Sequence, residues 1–187
     1  MADDKSGRDK QADDAENRQQ EREIATELER GDEREPPVVA EELAEFEAAL
    51  EELTFPVTGA EIVVAIGQRE IESVEGSFRI QELIPETDEE VFDSPAAIRV
   101  QVHRPTVAAA MKRVVEASKT LRNTEFSWAQ RKAYEKTFEE LKAIDADDDD
   151  EGIRAISDWV VEQIHDEETL PTSRAVRREA AKFCRAN

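Results

Sequence analysis

Residues that carry chemistry are scarce in this chain of 187 residues. One cysteine, Cys184, excludes a disulfide framework and a cysteine-based zinc cage. Nucleophilic catalysis needs a Ser, Thr or Cys beside a base that a third group orients. Only two histidines are present, His103 beside Arg104 and His165 in an acidic stretch, and no serine lies in a G-x-S-x-G elbow. The six glycines (Gly7, Gly31, Gly59, Gly67, Gly76, Gly152) never cluster, which argues against a phosphate-cradling loop. No apolar run approaches the ~18 residues of a membrane-spanning helix, and the opening M-A-D-D-K-S-G-R-D-K lacks the apolar stretch of a secretory signal. The expectation is a cytoplasmic protein without membrane contact, not an enzyme, with no cofactor and no metal.

What the chain has is charge. It carries 46 Asp and Glu against 25 Lys and Arg, a formal net charge of −21. Only 8 of those basic residues are Lys and 17 are Arg. A wide spread of carboxylates with few lysines resembles the composition of proteins from cytoplasms of molar salt, where a Debye length of about 3 Å screens self-repulsion. The charge is uneven. Residues 1–96 sum to −20, residues 97–136 to +6, residues 137–168 to −11 and residues 169–187 to +4. Two basic segments inside so acidic a chain are the places to look for contacts.

Residues 1–35 contain only Ile24 and Leu28 from the set Ile, Leu, Val and Phe. Too little apolar surface is available there to offset chain entropy, so residues 1–37 are expected to be an acidic disordered tail. From Ala40 the spacing of Leu43, Phe46, Leu50 and Leu53 predicts a helix. Thr58 with Glu61 reads as a capping box before a short helix that Gly67 ends. Arg69 to Ile80 reads as a hairpin turning at Glu75-Gly76, and Gln81 to Ile84 as a further helical turn. Between Phe92 and Pro105 two signals conflict. Ser94-Pro95 is a helix start, while Ile98, Val100 and Val102 alternate with Arg99, Gln101 and His103 as in a half-buried strand. On residues alone the alternation is the stronger, and it adds a third strand to the hairpin.

Beyond Pro105 the pattern is helical. Thr106 is placed as a cap, with Val107, Ala110, Met111, Val114, Val115 and Leu121 inward. Ser127 caps a helix whose apolar positions are Trp128, Tyr134, Phe138, Leu141 and Ile144. Ile153, Ile156, Trp159, Val160 and Ile164 mark another. After Leu170-Pro171, Thr172-Ser173 caps the last, with Val176, Ala180 and Phe183 as its apolar line. The fold class expected is α+β and α-rich: a small α+β unit over residues 38–105, and a helical unit over 106–187 ending in a pair that resembles a helix-turn-helix.

The residues Leu53-Thr54-Phe55-Pro56-Val57-Thr58, Glu61-Ile62, Gly67, Gly76 and Phe92-Asp93-Ser94-Pro95 resemble a haloarchaeal family of unknown function with the pattern L-x-Y-P-x-T-x-x-E, then G, then F-x-S. The likeness covers about residues 50–103, with Phe55 where the family has Tyr. It implies a halophilic archaeal origin and no particular activity, and it tilts Pro95 to Val102 back toward helix.

Two further features have competing readings. Asp147 to Asp158 places acids at positions one, three, five and twelve and Gly152 at six, as in a calcium loop, but with Glu at five, Asp at twelve and Arg154 at the apolar eighth position. Carboxylates that complement the dipole of a following helix are the preferred reading. Cys184, among Lys182, Phe183 and Arg185, is read as a small buried hydrophobe rather than a reactive thiol. The last helix is the sharper case. At roughly 100° per residue, Arg174, Arg177, Arg178, Lys182 and Arg185 gather on one side and Val176, Ala180 and Phe183 on the other. Those five are the candidate binding residues. The partner expected is another protein, in a regulatory or scaffolding role; the alternative is a nucleic acid read by the basic helix. Lys112, Arg113, Lys119, Arg122, Arg131, Lys132 and Lys136 of the other basic segment have two readings of equal weight, ion pairs with the Glu-rich residues 41–52 or docking of a partner.

The charge reading makes a first prediction. In a melting series the midpoint rises from dilute buffer to molar potassium chloride; equal stability in dilute buffer contradicts adaptation to high salt.

Overall fold

The computed structural model describes residues 40–186 except 74, 123 and 145–149, and side chains from residue 44 onward. The expected tail, residues 1–37, lies outside the described residues, as does the run 145–149 at the head of the calcium-loop reading. The elements in chain order are α1 (Ala40–Glu51), β1 (Val57–Thr58), α2 (Gly59–Ile66), β2 (Glu70–Ser73), β3 (Gly76–Arg79), α3 (Ile80–Leu83), β4 (Val91–Phe92), α4 (Pro95–His103), α5 (Pro105–Ser118), α6 (Trp128–Ile144), α7 (Glu151–Glu167) and α8 (Ser173–Ala186). The α-rich α+β class is therefore correct. The sheets are two antiparallel ladders of two strands, β1 with β4 and β2 with β3.

Local chemistry accounts for the N-terminal elements. The hydroxyl of Thr58 accepts from the N–H of Glu61 at 3.2 Å, and the Glu61 carboxylate accepts from the N–H of Thr58 at 2.8 Å, a complete capping box on α2. In the hairpin Ile71 faces Phe78, and Gly76 takes a φ of 123° that a side chain would strain. Gly59 is required for another reason. A Cβ there would lie 2.0 Å from the carbonyl oxygen of Pro85, while its N–H donates to Glu90 at 2.8 Å. The chain thus folds back so that β4 reaches β1.

Of the two readings of Ile98 to Val102 the helix is correct and the strand, favoured on residues alone, is not: these residues belong to α4, and among the described residues no third strand joins the hairpin. Ile98 and Val102 are four residues apart and both buried, whereas Val100, the middle member of the alternation, is exposed. A period of two contains a period of four, and Pro95 at the helix start decides between them. Thr106 is not a cap either. α5 begins at Pro105, and the Glu75 carboxylate from the hairpin turn accepts from the N–H of Thr106 at 3.2 Å and from its hydroxyl at 2.8 Å. Trp128 and Ile144, placed among the inward positions of α6, are exposed; Tyr134, Phe138 and Leu141 are buried.

Apolar side chains gather in two clusters that share α5. Ala108 joins Phe46, Leu50, Ile62, Ile71, Ile80 and Ile98 of the preceding elements. Val107, Ala110 and Val114 join Tyr134, Phe138, Ile156, Val160 and Val176 of the helices that follow. Fully burying a side chain of this size contributes about 1.5–3 kcal/mol. α6, α7 and α8 lie side by side. A Cβ on Gly152 would stand 3.4 Å from both Leu141 and Phe183, so the start of α7 sits between the ends of its neighbours. At the opposite end Gln130 Nε2 and the Tyr134 hydroxyl donate to the carbonyl of Pro171, just before α8.

Replacing Gly59 by Ala forces a Cβ against the Pro85 backbone. The expected cost is about 1–3 kcal/mol, read as a lowered denaturant midpoint; a change below about 0.5 kcal/mol shows that the turn at Pro85 yields freely.

Candidate interaction surface

α8 begins where Thr172 accepts from the N–H of Ala175 at 3.2 Å, an ordinary cap. Val176 and Ala180 are buried, and Phe183 packs partly buried against the C-terminal cluster. The opposite face points to solvent: Arg174, Arg177, Arg178, Lys182 and Arg185 are all exposed. Lys182 pairs with Glu179 of the same helix at 2.7 Å. The four arginines have no ion pair among the described residues. Cys184 lies beside them and is exposed, which overturns its reading as a buried hydrophobe.

The other basic segment is different. Arg113 pairs with Asp158 of α7 at 2.5 Å, Lys132 with Glu135 at 2.8 Å, Lys112 with Glu116, Lys119 with Glu89, and Arg131 with Glu90. Arg104 reaches Glu135 at 2.5 Å and also Glu139, and Arg99 holds Glu47 on α1. The partners expected within the chain for Lys112, Arg113, Lys119, Arg122, Arg131, Lys132 and Lys136 were the glutamates of residues 41–52; among the described residues none of the seven pairs with one, and Arg99, outside that set, does. The rest take carboxylates from the approach to β4 and from α5, α6 and α7. Arg122 and Lys136 have no ion pair among the described residues. Burial raises the Glu135 carboxyl, but hydrogen bonds and fields from Lys132 and Arg104 outweigh it and hold the group below its usual range.

A polar junction that sequence reasoning missed joins four elements. Lys142 of α6 lies 2.7 Å from Asp150 and 3.6 Å from Glu75, and the Thr106 hydroxyl is 3.1 Å from Asp150. Its members are far apart in sequence, so no local pattern announces it. Beyond Asp150 the calcium-loop reading fails on geometry. Glu151 to Asp158 is helical, Gly152 is buried inside the first turn of α7, and Asp158 faces Arg113. Among the described residues no three His, Cys, Asp or Glu are grouped to hold a metal ion. No helix among them is long and apolar enough to cross a membrane.

A groove of about 460 Å³ runs between β4, α4, α5 and α6. Phe92, Met111 and Val115 line it, with Trp128 on its lip 73% exposed. The two histidines sit on different elements. His103, near the end of α4, has a buried Nε2 with no hydrogen-bond partner; His165 is exposed near the end of α7. Burial, then the nearby Arg99 guanidinium, pushes the His103 imidazole below its ordinary value against the opposing field of Glu47.

With the geometry in view, comparison with known proteins adds one finding. Residues 40–114 match a family described as a family of unknown function, DUF5789. That span contains the residues on which the sequence likeness rests. It begins with α1 and ends inside α5, so α6, α7 and α8, with the basic face, lie outside it. No curated protein matches the chain, and no solved structure does.

The imidazole supplies a pH prediction. Its folded-state value is depressed, so the folded chain binds fewer protons than the unfolded one as pH falls. Its contribution is full above the unfolded value, near about 6.5, and is lost as pH drops through the folded value. Melting curves between about pH 7.5 and pH 5 are expected to show wild type losing stability relative to His103→Gln; parallel curves mean that His103 is not held neutral by the fold.

Proposed function

We propose that this protein is a non-catalytic interaction module, regulatory or scaffolding in role, whose contact surface is the outward face of α8. The observation that carries this reading is the contrast between the two basic segments. Most cations of residues 97–136 are paired with the chain's own carboxylates, whereas Arg174, Arg177, Arg178 and Arg185 are exposed and without ion pairs among the described residues. Aligned guanidinium groups in a chain with so many carboxylates have a ready use in holding an anionic macromolecule. A cytoplasm of molar salt is the proposed setting, supported by the acid excess and the scarcity of lysine.

A nucleic acid is the second reading. It rests on the same face, because a guanidinium fork fits phosphate as well as carboxylate. Molar salt works against it, since counterion release weakens phosphate binding steeply.

Site-specific photo-cross-linking in the cells that make the protein tests the surface. A cross-linker at Ala181, in the middle of the basic face, is compared with one at Val64 on α2, which is 85% exposed. Adducts at 181 and none at 64 are expected, and their sensitivity to protease or nuclease separates the two partner classes. Absence of an adduct at 181 overturns the proposal.

A further inference from the structure

Resting on that reading, we infer that the outward face of α8 receives an acidic α-helix of another protein, laid alongside it, rather than a nucleic acid groove or strand. The first reason is how α8 is mounted. α7 is about 25 Å long and α8 about 21 Å at 1.5 Å per residue. They are joined at residues 168–172, yet Phe183 near the far end of α8 closes on Gly152 at the far end of α7. Two helices that meet at both ends run antiparallel. In a groove-reading pair the helices cross at about 90–120° and the second projects into the major groove. Here α8 lies flat on the bundle, with Val176 and Ala180 buried beneath it and only one face free.

The second reason is the outline of the basic face. From Arg174 to Arg185 it measures about 16 Å along the helix, and exposed carboxylates Asp166, Glu167 and Glu168 lie on the chain just before it. A duplex carries one charge per about 1.7 Å and continues beyond such a face in both directions. Its phosphates would meet those carboxylates and the field of a chain with a net charge of −21. An acidic helix of three turns ends where the cations end.

The third reason is register. Arg174, Arg178 and Lys182 recur every four residues, a rise of about 6 Å each, and Arg185 extends the line. Glutamates at four-residue intervals on a facing helix have the same rise, so each guanidinium meets one carboxylate with both N–H groups of its fork. Half-buried Ala181 lies among the arginines. A residue that small leaves room for the facing backbone to approach between flanking charges, the arrangement of an apolar centre with a polar rim.

The test uses the full chain at the lowest potassium chloride concentration that keeps it folded by circular dichroism. Three labelled probes are titrated by fluorescence anisotropy. One is a stapled helical peptide of about 21 residues with glutamates every fourth position on one face. The second has the same composition with its glutamates scattered around the helix. The third is a DNA duplex of about 20 base pairs. The faced peptide is expected to bind at least about tenfold tighter than the scattered one and tighter than the duplex. Arg174→Glu with Arg178→Glu is expected to remove about tenfold or more, whereas Val64→Glu, at an exposed position on α2, leaves binding unchanged. Equal binding of the two peptides, a preference for the duplex, or binding that survives the double substitution overturns the helical partner. If cross-linking at position 181 yields adducts while the faced peptide fails to bind, the docking surface stands and the helical partner falls. If neither experiment gives a signal, both fall.

Discussion

Cations are the limiting resource of this chain, and where they stand decides how the helices are tied and what is left for a partner. Residues 97–136 hold nine basic residues, and seven of them reach a carboxylate in the folded chain. The ties that cross between elements are the informative ones: Arg99 to α1, Arg104 and Arg113 from the middle of the chain to α6 and α7, Lys119 and Arg131 to the approach of β4. In a molecule crowded with carboxylates, such ties place negative groups of separate helices around a shared positive one instead of against each other.

Those ties do not hold the fold together by themselves. Partly exposed pairs are worth about 0–1 kcal/mol each, and molar salt lowers that further. The larger contribution is apolar: buried Phe46, Leu50, Ile62, Ile80 and Ile98 on one side of α5, buried Tyr134, Phe138, Ile156 and Val160 on the other. α5 is therefore the element on which both clusters depend. Its composition suits this position, since alanines at 108, 109 and 110 let helices approach from more than one direction. The ion pairs add selection among packings that apolar contact alone would leave close in energy, a role that pairing geometry serves better than pairing strength.

The parts of the fold legible in the sequence are those governed by neighbours along the chain. The capping box at Thr58 and Glu61, the hairpin turn at Gly76, the turn at Pro171 and the apolar line of α8 depend on a few adjacent residues. The parts missed depend on groups distant in sequence. Glu75 displaces Thr106 as the cap of α5 because the hairpin turn is delivered there by folding. The ladder between Val57–Thr58 and Val91–Phe92 is two residues long on each side, too short for any period to register. α4 was obscured for a third reason: its buried pair Ile98 and Val102 satisfies both periodicities, and the exposure of Val100 that separates them is a property of the folded surface. For the candidate surface, the basic face was visible as a periodicity. That its arginines have no ion pair among the described residues was not, because pairing is decided by which carboxylates arrive nearby.

That distinction bears on how the two basic segments differ. A cation on α5 or α6 has other elements beside it and finds their carboxylates, as Arg113 does with Asp158 of α7 and Arg131 with Glu90 just before β4. α8 packs against α6 and α7 with its apolar side and has no later described element to cover the other. The same five cations moved inward would serve as further ties. At the outer layer, with Lys182 drawn to a neighbour in its own helix, the four arginines stay exposed and without an ion pair among the described residues. Position in the packing order, more than the number of charges, separates an exposed basic face from a segment whose cations are paired within the fold.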